Sequence, residues 1–341
     1  MARFRRIIST IDSHTAGEST RLVVSGLPPV AGHTIAEKLA FAEQHLSWVP
    51  GLTMLEPRGH KDMYGAVLLP ACTPGADVGV IFMDNKGFEP MCGHAVIGVV
   101  TSLIEVGMVE PGHPEVEVTL DTAAGLVRAA AHIRHGAVES VSFTSVPAFV
   151  FRQNVNLHAP PIGDVTVDIA FGGNFFVLVN ASQVGVELIA ANTALLADLG
   201  MAILEAANDA VSVVHPDLPQ IRRIIDLRFW DTPGGDEVTT RNVVVLGDHM
   251  VDRSPCGTGT CAEMALRHAR GQLTIGERFV AESVIGTRFV GEVVAETEVG
   301  KGESAIPAIV PKVTGSAYLT GLNQLVIEPN DPFPQGFWLK S

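Results

Sequence analysis

Two stretches place a cysteine directly before a glycine where a helix is predicted to begin: MCGHAVIGVV at residues 91–100 and DRSPCGTGTCAEMA at residues 252–265. We call residues 90–94 the first thiol corner and residues 255–259 the second, because each contains a proline, a cysteine and a glycine. A helix N-terminus presents unpaired N–H groups and about half a positive charge. It is therefore expected to lower the pKa of a thiol and to bind a carboxylate. The repeated corner predicts two chemically similar halves.

The distribution of strands and helices supports this duplication. The 341 residues exceed the usual size of a single core, and a hydrophobic content of 47% is typical of a globular protein. The predicted strands are TRLVVSG, GAVLLP, VGVIFMD, VEVTLDT, SVSFTSVP, VTVDIAFGG, NFFVLVN, RNVVVLGD and QLVIEPN. The predicted helices cover residues 34–46, 94–107, 186–208 and 259–273.

Each half holds a group of strands, an early helix and then a Cys-Gly helix. We therefore predict an α+β fold of two similar lobes that face each other. The first lobe is predicted at residues 1–160, joined by a return of residues 318–341, and the second at residues 161–317.

The charge and the cysteine content limit the classes of binding partner and the cellular compartment that are expected. The net charge of −14 disfavours nucleic acid and anionic membranes as partners. The N-terminus lacks the apolar run of a signal peptide, and no apolar run approaches the ~20 residues of a membrane span, so a cytoplasmic protein is predicted. The four cysteines are expected to be thiols in a reducing compartment. Their spacing matches no common zinc site, so no metal is predicted.

The paired corners indicate proton transfer at carbon. Across a lobe interface, Cys92 and Cys256 would address opposite faces of one tetrahedral carbon, so that one thiolate removes a proton and the opposing thiol delivers one. A racemase without a cofactor requires this geometry. Cys72 and Cys261 are expected to be small packing residues. A papain-like hydrolase built on Cys92 would leave the second corner unexplained, and no nucleotide-binding or serine-hydrolase motif is present.

Five motifs resemble those of the proline racemase family: DSHTAGESTRLV from Asp12, EPRGHKDMYGA from Glu56, MCGHAVIG, FGGNFF from Phe171, and DRSPCGTGT. The resemblance runs nearly from end to end, and DRSPCGTGT and EPRGH are highly specific. It implies the two-lobed fold of the diaminopimelate-epimerase type, in which each lobe is a curved sheet around a central helix and the substrate lies between the lobes.

The resemblance also implies roles for individual residues. Cys92 and Cys256 become the acid–base pair, and Asp252 would hold the protonated ring nitrogen of the substrate. Residues expected to offer backbone N–H groups to the substrate carboxylate are Gly93, His94, Gly257 and Thr258. The His94 side chain either contacts substrate or bonds locally. Tyr64 and Leu246 match positions that line the substrate ring.

Further residues of these motifs are His14, Glu18, Arg58, His60 and Asp62. Arg58 and His60 are expected to be mainly scaffolding, because buried polar groups need partners. The FGGNFF segment is expected to support the second lobe and shape the pocket wall.

The resemblance implies that the substrate is a proline or hydroxyproline, and the family divides at the second corner. Racemases and epimerases carry cysteine there, whereas the dehydratase usually carries threonine, so Cys256 favours inversion. The CGHAVI pattern of the first corner instead resembles the dehydratase branch. The expected activity is a cofactor-independent 4-hydroxyproline 2-epimerase or proline racemase. The alternatives are a trans-3-hydroxy-L-proline dehydratase and a proline-binding module without turnover. A homodimer is the assembly common in such folds.

Overall fold

The computed structural model describes residues 6–219, 221–234, 237–302 and 305–339, and their contacts divide into two units. Unit 1 consists of the described residues up to Phe143 and those from Gly315 onward, and unit 2 is Thr144–Thr314. The predicted boundary at residue 160 differs from this division, because strand Ala148–Ala159 pairs with the next strand of unit 2. Residues 1–5 and 340–341 of the predicted first lobe lie outside the described residues.

Unit 1 is a mixed sheet with three helices. Its elements are β1 Arg6–Thr15, β2 Glu18–Ser25, α1 Ile35–His45, α2 Trp48–Met54, β3 Tyr64–Leu69, β4 Val78–Asp84, β5 Phe88–Glu89, α3 Gly93–Glu105, β6 Glu115–Thr122, β7 Gly125–Arg134, β8 Ala137–Thr144 and β18 Ala317–Ile327. The strands pair in the order β18–β1–β2–β3–β4–β6–β7–β8, with β5 against β4. Neighbours are antiparallel except for the parallel pairs β2–β3 and β4–β6.

Unit 2 is a second mixed sheet, and it closes on itself. Its elements are β9 Ala148–Ala159, β10 Gly163–Phe171, β11 Phe175–Asn180, two 3₁₀ turns at Ala181–Gln183 and Ala190–Asn192, α4 Thr193–Ala210, β12 Ile224–Asp231, β13 Thr240–Leu246, β14 Met250–Val251, α5 Gly257–Ala269, β15 Arg278–Ser283, β16 Arg288–Val299 and β17 Ile306–Gly315. The order is β9–β10–β11–β12–β13–β15–β16–β17, with β14 against β13. Strand β17 then pairs with β9 and completes the ring.

The two units share one topology. In each strand order, the third and fourth strands are parallel, and so are the fifth and sixth. Parallel neighbours require a crossover connection, which α1 and α2 supply in unit 1 and α4 supplies in unit 2. The second crossover in each unit contains the helix that follows a thiol corner, α3 or α5. The predicted α+β fold of two similar lobes is therefore confirmed.

The corner helices are buried against their own sheets. All residues of α3 except Glu105 are buried, as its apolar sequence predicts. In unit 2 the strand alternation divides the side chains into two sets. Phe176, Leu178 and Val244 pack with Cys256 and α5. The alternate residues of the same strands pack in the larger core that contains α4. The sheet of unit 2 therefore has one helix on each face.

Two expectations about secondary structure need correction. The sequence pattern missed the two-residue strands β5 and β14 and seven longer strands, namely β1, β7, β9, β12, β15, β16 and β17. Many of their residues are polar and partly exposed; in β9, for example, Arg152, Gln153 and Asn154 lie together in the strand. In addition, Ala190–Ala210 is long and apolar enough to cross a membrane by length and composition, although no such run was expected. Six α4 residues nevertheless pack inside unit 2.

Candidate active site

The first corner places Cys92 as the N-cap residue of α3. Its backbone is extended, with φ −144° and ψ 116°, and its carbonyl oxygen accepts the first helical hydrogen bond from Val96 N at 3.0 Å. The side chain is 9% exposed. The next two N–H groups, of Gly93 and His94, belong to the first turn and have no intrahelical acceptor. This corner can therefore present a thiol and anion-binding N–H groups together.

The His94 side chain bonds locally, and one of its contacts is the Cys92 thiol. Its Nδ1 lies 3.5 Å from Cys92 Sγ, and its Nε2 lies 3.3 Å from the Ser19 carbonyl oxygen. A carbonyl oxygen only accepts, so Nε2 carries the proton and Nδ1 of the neutral ring is an acceptor. Tyr64 packs edge-on against the same ring, with centroids 4.8 Å apart. The fixed tautomer lets His94 receive a proton from Cys92.

Other motif residues of unit 1 make hydrogen bonds with neighbouring loops and turns. Arg58 donates to the Leu52 and Phe333 carbonyl oxygens and pairs with Asp331, so its predicted scaffolding role is confirmed. His60 is exposed, and its Nδ1 accepts from Asp62 N. His14 accepts from Gly17 N, and Glu18 is buried beside Ser19, whose N–H it accepts.

The sequence analysis did not single out Arg21 within the first motif. Arg21 is buried and donates to both carboxylate oxygens of Asp12, with a shortest distance of 2.7 Å. Its Nη1 also donates to the Thr53 and Arg58 carbonyl oxygens. An arginine can make all these bonds because its guanidinium carries five donors in a fixed plane. Arg21 thus joins β1 and β2 to the end of α2.

The second corner differs from the first in backbone conformation. Cys256 is the N-cap of α5 with φ +61° and ψ 115°. A positive φ in a residue with a Cβ costs about 1–3 kcal/mol and persists only where surrounding contacts impose it. Cys256 N donates to Ser254 Oγ at 3.1 Å, and Ser254 N donates to an oxygen of Asp252 at 2.7 Å. The loop before the helix is therefore fixed by consecutive hydrogen bonds.

Two donors reach the Cys256 sulfur from the first turn of α5. Gly259 N donates to Sγ at 3.3 Å, and the Thr258 hydroxyl lies 3.6 Å from it. Burial raises the pKa of the Cys256 thiol, the carboxylates of Asp252 and Asp226 raise it further, and these two donors lower it. The expectation that the helix N-terminus would lower this pKa is wrong, because burial and two nearby negative charges outweigh it. Cys256 is a thiol.

Asp226 is a buried carboxylate near Cys256 that the sequence analysis missed. It lies on β12 directly opposite Leu246 of β13, and Leu246 packs in the cluster that contains Cys256. Asn174 Nδ2 donates to its Oδ2 at 3.3 Å. Asp252 is likewise buried, and its backbone N–H donates to Val244 O on the same strand as Leu246. The second corner therefore has two buried carboxylates beside one thiol.

The FGGNFF segment touches the first turn of α5 directly. A Cβ on Gly172 would lie 2.2 Å from the Thr258 carbonyl oxygen, and one on Gly173 would lie 2.7 Å from Thr258 Cγ2. Gly173 also has φ +125°, which disfavours a side chain. The two glycines let the β10–β11 turn lie against the second corner, and the next residue of the segment is Asn174. The predicted support of the second lobe is confirmed, and the part of this segment in a pocket wall stays a prediction.

A buried ion-pair network lies behind the second corner. Arg228 on β12 is 0% exposed; its Nε donates to Glu263 Oε2 at 2.8 Å, and its Nη1 donates to the Pro255 carbonyl oxygen at 2.7 Å. Arg267 Nε donates to the other Glu263 oxygen at 2.9 Å. Sequence reasoning missed this network, because a charged residue inside a predicted strand gives no signal of its distant partner.

Cys72 and Cys261 are the other two cysteines, and the described residues contain no metal-binding cluster. Cys261 is fully buried as predicted, and burial raises its pKa to about 12. Cys72 is only partly buried. Within residues 6–219, 221–234, 237–302 and 305–339, no group of three His, Cys, Asp or Glu side chains could hold a metal ion.

Comparison with known proteins decides the family. The family model described as proline racemase matches residues 10–338. This chain belongs to the proline racemase family. A proline racemase of Clostridioides difficile is 44% identical over 338 residues, which cover 99% of this chain and 100% of that protein. A 4-hydroxyproline 2-epimerase of Streptosporangium roseum is 43% identical over 337 residues, with the same coverage.

A dehydratase and a solved epimerase structure also match this chain. A trans-3-hydroxy-L-proline dehydratase of Bacillus cereus is 39% identical over 334 residues, covering 98% of both chains. A solved structure of an Agrobacterium vitis hydroxyproline epimerase, with bound trans-4-hydroxy-L-proline, superposes with a TM-score of 0.89. It is 34% identical and covers 99% of this chain and 97% of its own. The family and the fold class predicted from the motifs are thus confirmed, and three activities occur among the relatives.

Proposed function

We propose that this protein is a cofactor-independent epimerase that inverts the α-carbon of 4-hydroxyproline, with proline as a poorer substrate. The observation that carries the proposal is the pair of Cys-Gly corners at the N-termini of α3 and α5, one in each of two units of equal topology. Membership of a family that contains racemases and epimerases supports it.

Substrate binding follows from the charges at the corners. The N–H groups of Gly93, His94, Gly257 and Thr258 would hold the substrate carboxylate at the positive helix ends. Asp252 would hold the ring ammonium, since a carboxylate stabilises a secondary ammonium strongly. The ammonium in turn acidifies the α-carbon and offsets the charge of Asp252 beside Cys256.

In the proposed reaction, the Cys92 thiolate removes the α-proton. The C–H bond breaks, and its electron pair passes into the carboxylate held by the helix ends. Cys256 then gives its S–H proton to the opposite face of the carbon and becomes a thiolate. The raised pKa of Cys256 favours the protonated form that this step needs. His94 assists by accepting the Cys92 proton through Nδ1 when the active form of the enzyme is prepared.

Asp226 is the reason for proposing 4-hydroxyproline, rather than proline, as the preferred substrate. Asp226 is buried near Cys256 and accepts a hydrogen bond from Asn174 Nδ2, and the two oxygens of a carboxylate can accept further donors besides this one. A ring hydroxyl can donate to Asp226, whereas the apolar C4 methylene of proline cannot. A site built to bond a hydroxyl discriminates strongly against an analogue without it.

The dehydratase remains the second candidate, since the CGHAVI pattern resembles that branch and one relative has that activity. Dehydration needs one base and loss of the 3-hydroxyl, and it leaves Cys256 without a part in the reaction. The enzyme is expected to act in the cytoplasm as a homodimer, with no nucleic-acid or membrane partner.

The test is a chiral-chromatographic screen of proline, trans-4-hydroxy-L-proline and trans-3-hydroxy-L-proline in D₂O. We expect inverted 4-hydroxyproline with deuterium at the α-carbon, and loss of inversion in Cys256→Ser but not in the control Cys72→Ser. Release of a ketimine from 3-hydroxyproline, detected with an aldehyde reagent for amines, would establish the dehydratase instead. Inverted product that keeps its original α-hydrogen would contradict the two-thiol mechanism, and binding without isotope exchange would indicate a binding module.

A further inference from the structure

The peptide group before Cys256 is held by hydrogen bonds at its carbonyl oxygen and at its N–H, and Cys256 itself has a positive φ. The peptide between Pro255 and Cys256 has its carbonyl oxygen bonded to Arg228 Nη1 at 2.7 Å and to Thr260 Oγ1 at 3.2 Å. Its N–H donates to Ser254 Oγ at 3.1 Å. Because φ measures rotation about the N–Cα bond relative to this peptide, fixing the peptide against α5 sets the direction of the thiol.

Arg228 is the member of this arrangement that joins the peptide to the helix. It is 0% exposed, and the same guanidinium bonds the Pro255 carbonyl oxygen through Nη1 and Glu263 of α5 through Nε. Its Nη2 has no hydrogen-bond partner among the described residues. A buried cation with an unsatisfied donor destabilises a fold unless its other bonds compensate. What distinguishes Arg228 is the pair of bonds by which one guanidinium links the Pro255 carbonyl oxygen to α5.

We infer that Arg228 is a positioning residue for Cys256, which holds the Pro255–Cys256 peptide so that the thiol points toward the substrate carbon. This inference rests on the proposed function for its catalytic meaning, but its structural part concerns unit 2 alone. The first corner needs no such device, because Cys92 has an ordinary extended backbone. Arg228 bonds two groups at once through a rigid fork, which a lysine ammonium cannot reproduce with the same geometry.

The test compares Arg228→Lys with Arg267→Lys. Arg267 is a matched control, since it bonds the other oxygen of Glu263 but makes no contact with the Pro255 carbonyl. The first readout does not depend on catalysis: the alkylation rates of Cys256 and Cys92 by iodoacetamide, measured by peptide mass spectrometry. Release of the corner exposes the thiol and raises its thiolate fraction, so Arg228→Lys should accelerate alkylation of Cys256 about tenfold and leave Cys92 unchanged.

The second readout is kinetic. With an epimerisable substrate, Arg228→Lys should lower kcat about 100-fold, because a 1 Å misplacement of a reacting group has an effect of that order, while KM stays within about threefold. Arg267→Lys should remain within about threefold of wild type in both readouts. Ser254→Ala, which removes the bond at the other end of the peptide, should reproduce the alkylation change and serves if Arg228→Lys does not fold.

The outcomes separate the two hypotheses. Unchanged Cys256 alkylation in folded Arg228→Lys or Ser254→Ala, or an equal change at Cys92, would overturn the positioning role. The same holds if Arg267→Lys reproduces the effect, since the cause would then lie in Glu263 or in general destabilisation. A specific change at Cys256 together with a wild type that inverts no substrate would support the positioning of the thiol and refute the proposed function.

Discussion

Gly172→Ala should disturb the second thiol corner from outside without altering any group proposed to touch substrate. The new Cβ would lie 2.2 Å from the Thr258 carbonyl oxygen and 2.5 Å from Ala262 N, whereas ordinary contact begins at 3.4 Å. The opposing atoms are backbone, so the β10–β11 turn and the first turn of α5 must separate by about 1 Å. Gly172 does not have a left-handed φ, and the effect is therefore steric alone.

A displacement of that size predicts two measurable losses. The free energy of unfolding should fall by about 1–3 kcal/mol, the usual effect of forcing extra atoms into a packed site. The kcat for α-carbon inversion should fall about 100-fold, because Cys256 and the N–H groups of Gly257 and Thr258 move together. Urea titration gives the first quantity, and chiral chromatography of the product gives the second.

Gly234→Ala is the control, because its Cβ would meet nothing within 4 Å. It should change neither quantity. If Gly172→Ala retains kcat within about twofold of wild type, the close contact does not position the corner and the reasoning is refuted. A loss of stability with intact kcat would show that the turn moves rather than the helix.

Two further predictions concern buried titratable groups of unit 2. Asp226→Asn should lower kcat/KM for 4-hydroxyproline about tenfold relative to proline, the usual worth of a hydrogen bond to a charged group, and an equal fall for both substrates would contradict its proposed role. His215 lies between Phe149 and Phe171, and its Nδ1 accepts from Asp217 N and Leu218 N. Burial lowers its pKa, with the Asp217 charge in opposition, so the unfolded chain binds the proton more readily. Its contribution to stability is therefore present above about pH 6.5 and lost as the pH falls below that value, by about 1–2 kcal/mol if the proton displaces both N–H donors. Urea titrations of wild type and His215→Gln at pH 7.5 and 5.5 should show a smaller pH dependence in the variant.

The sequence predicted the parts of the fold that local patterns encode. The Cys-Gly corners predicted the starts of α3 and α5 to within one or two residues, since a cap and the following apolar run lie together in the chain. Strands such as β9 and β16 were missed because they contain many polar, exposed or partly exposed residues. These residues hide the alternation of apolar and polar positions by which a strand is recognised. The motifs singled out Cys92, Cys256 and Asp252 for the same local reason, and their roles stay predictions.

Long-range contacts account for what could not be predicted at the site. Arg228 and Glu263 are 35 positions apart, and Asn174 and Asp226 are 52 apart. No spacing rule links such pairs, because their proximity arises only after the sheet of unit 2 has formed. The pKa of Cys256 was misjudged for a related reason. The helix end is visible in the sequence, whereas the burial and the Asp226 charge that oppose it depend on the tertiary structure.

The pairing of β18 with β1 has a consequence for the order in which the nascent protein folds. Strand β1 is synthesised shortly before its neighbour β2, yet its other partner, β18, follows only after all of Thr144–Thr314. All strands of the ring in unit 2 thus lie in one uninterrupted segment, whereas the N-terminal segment waits with one side of its leading strand uncovered. An exposed strand side invites pairing with another chain, so chaperone dependence should be greatest during that interval.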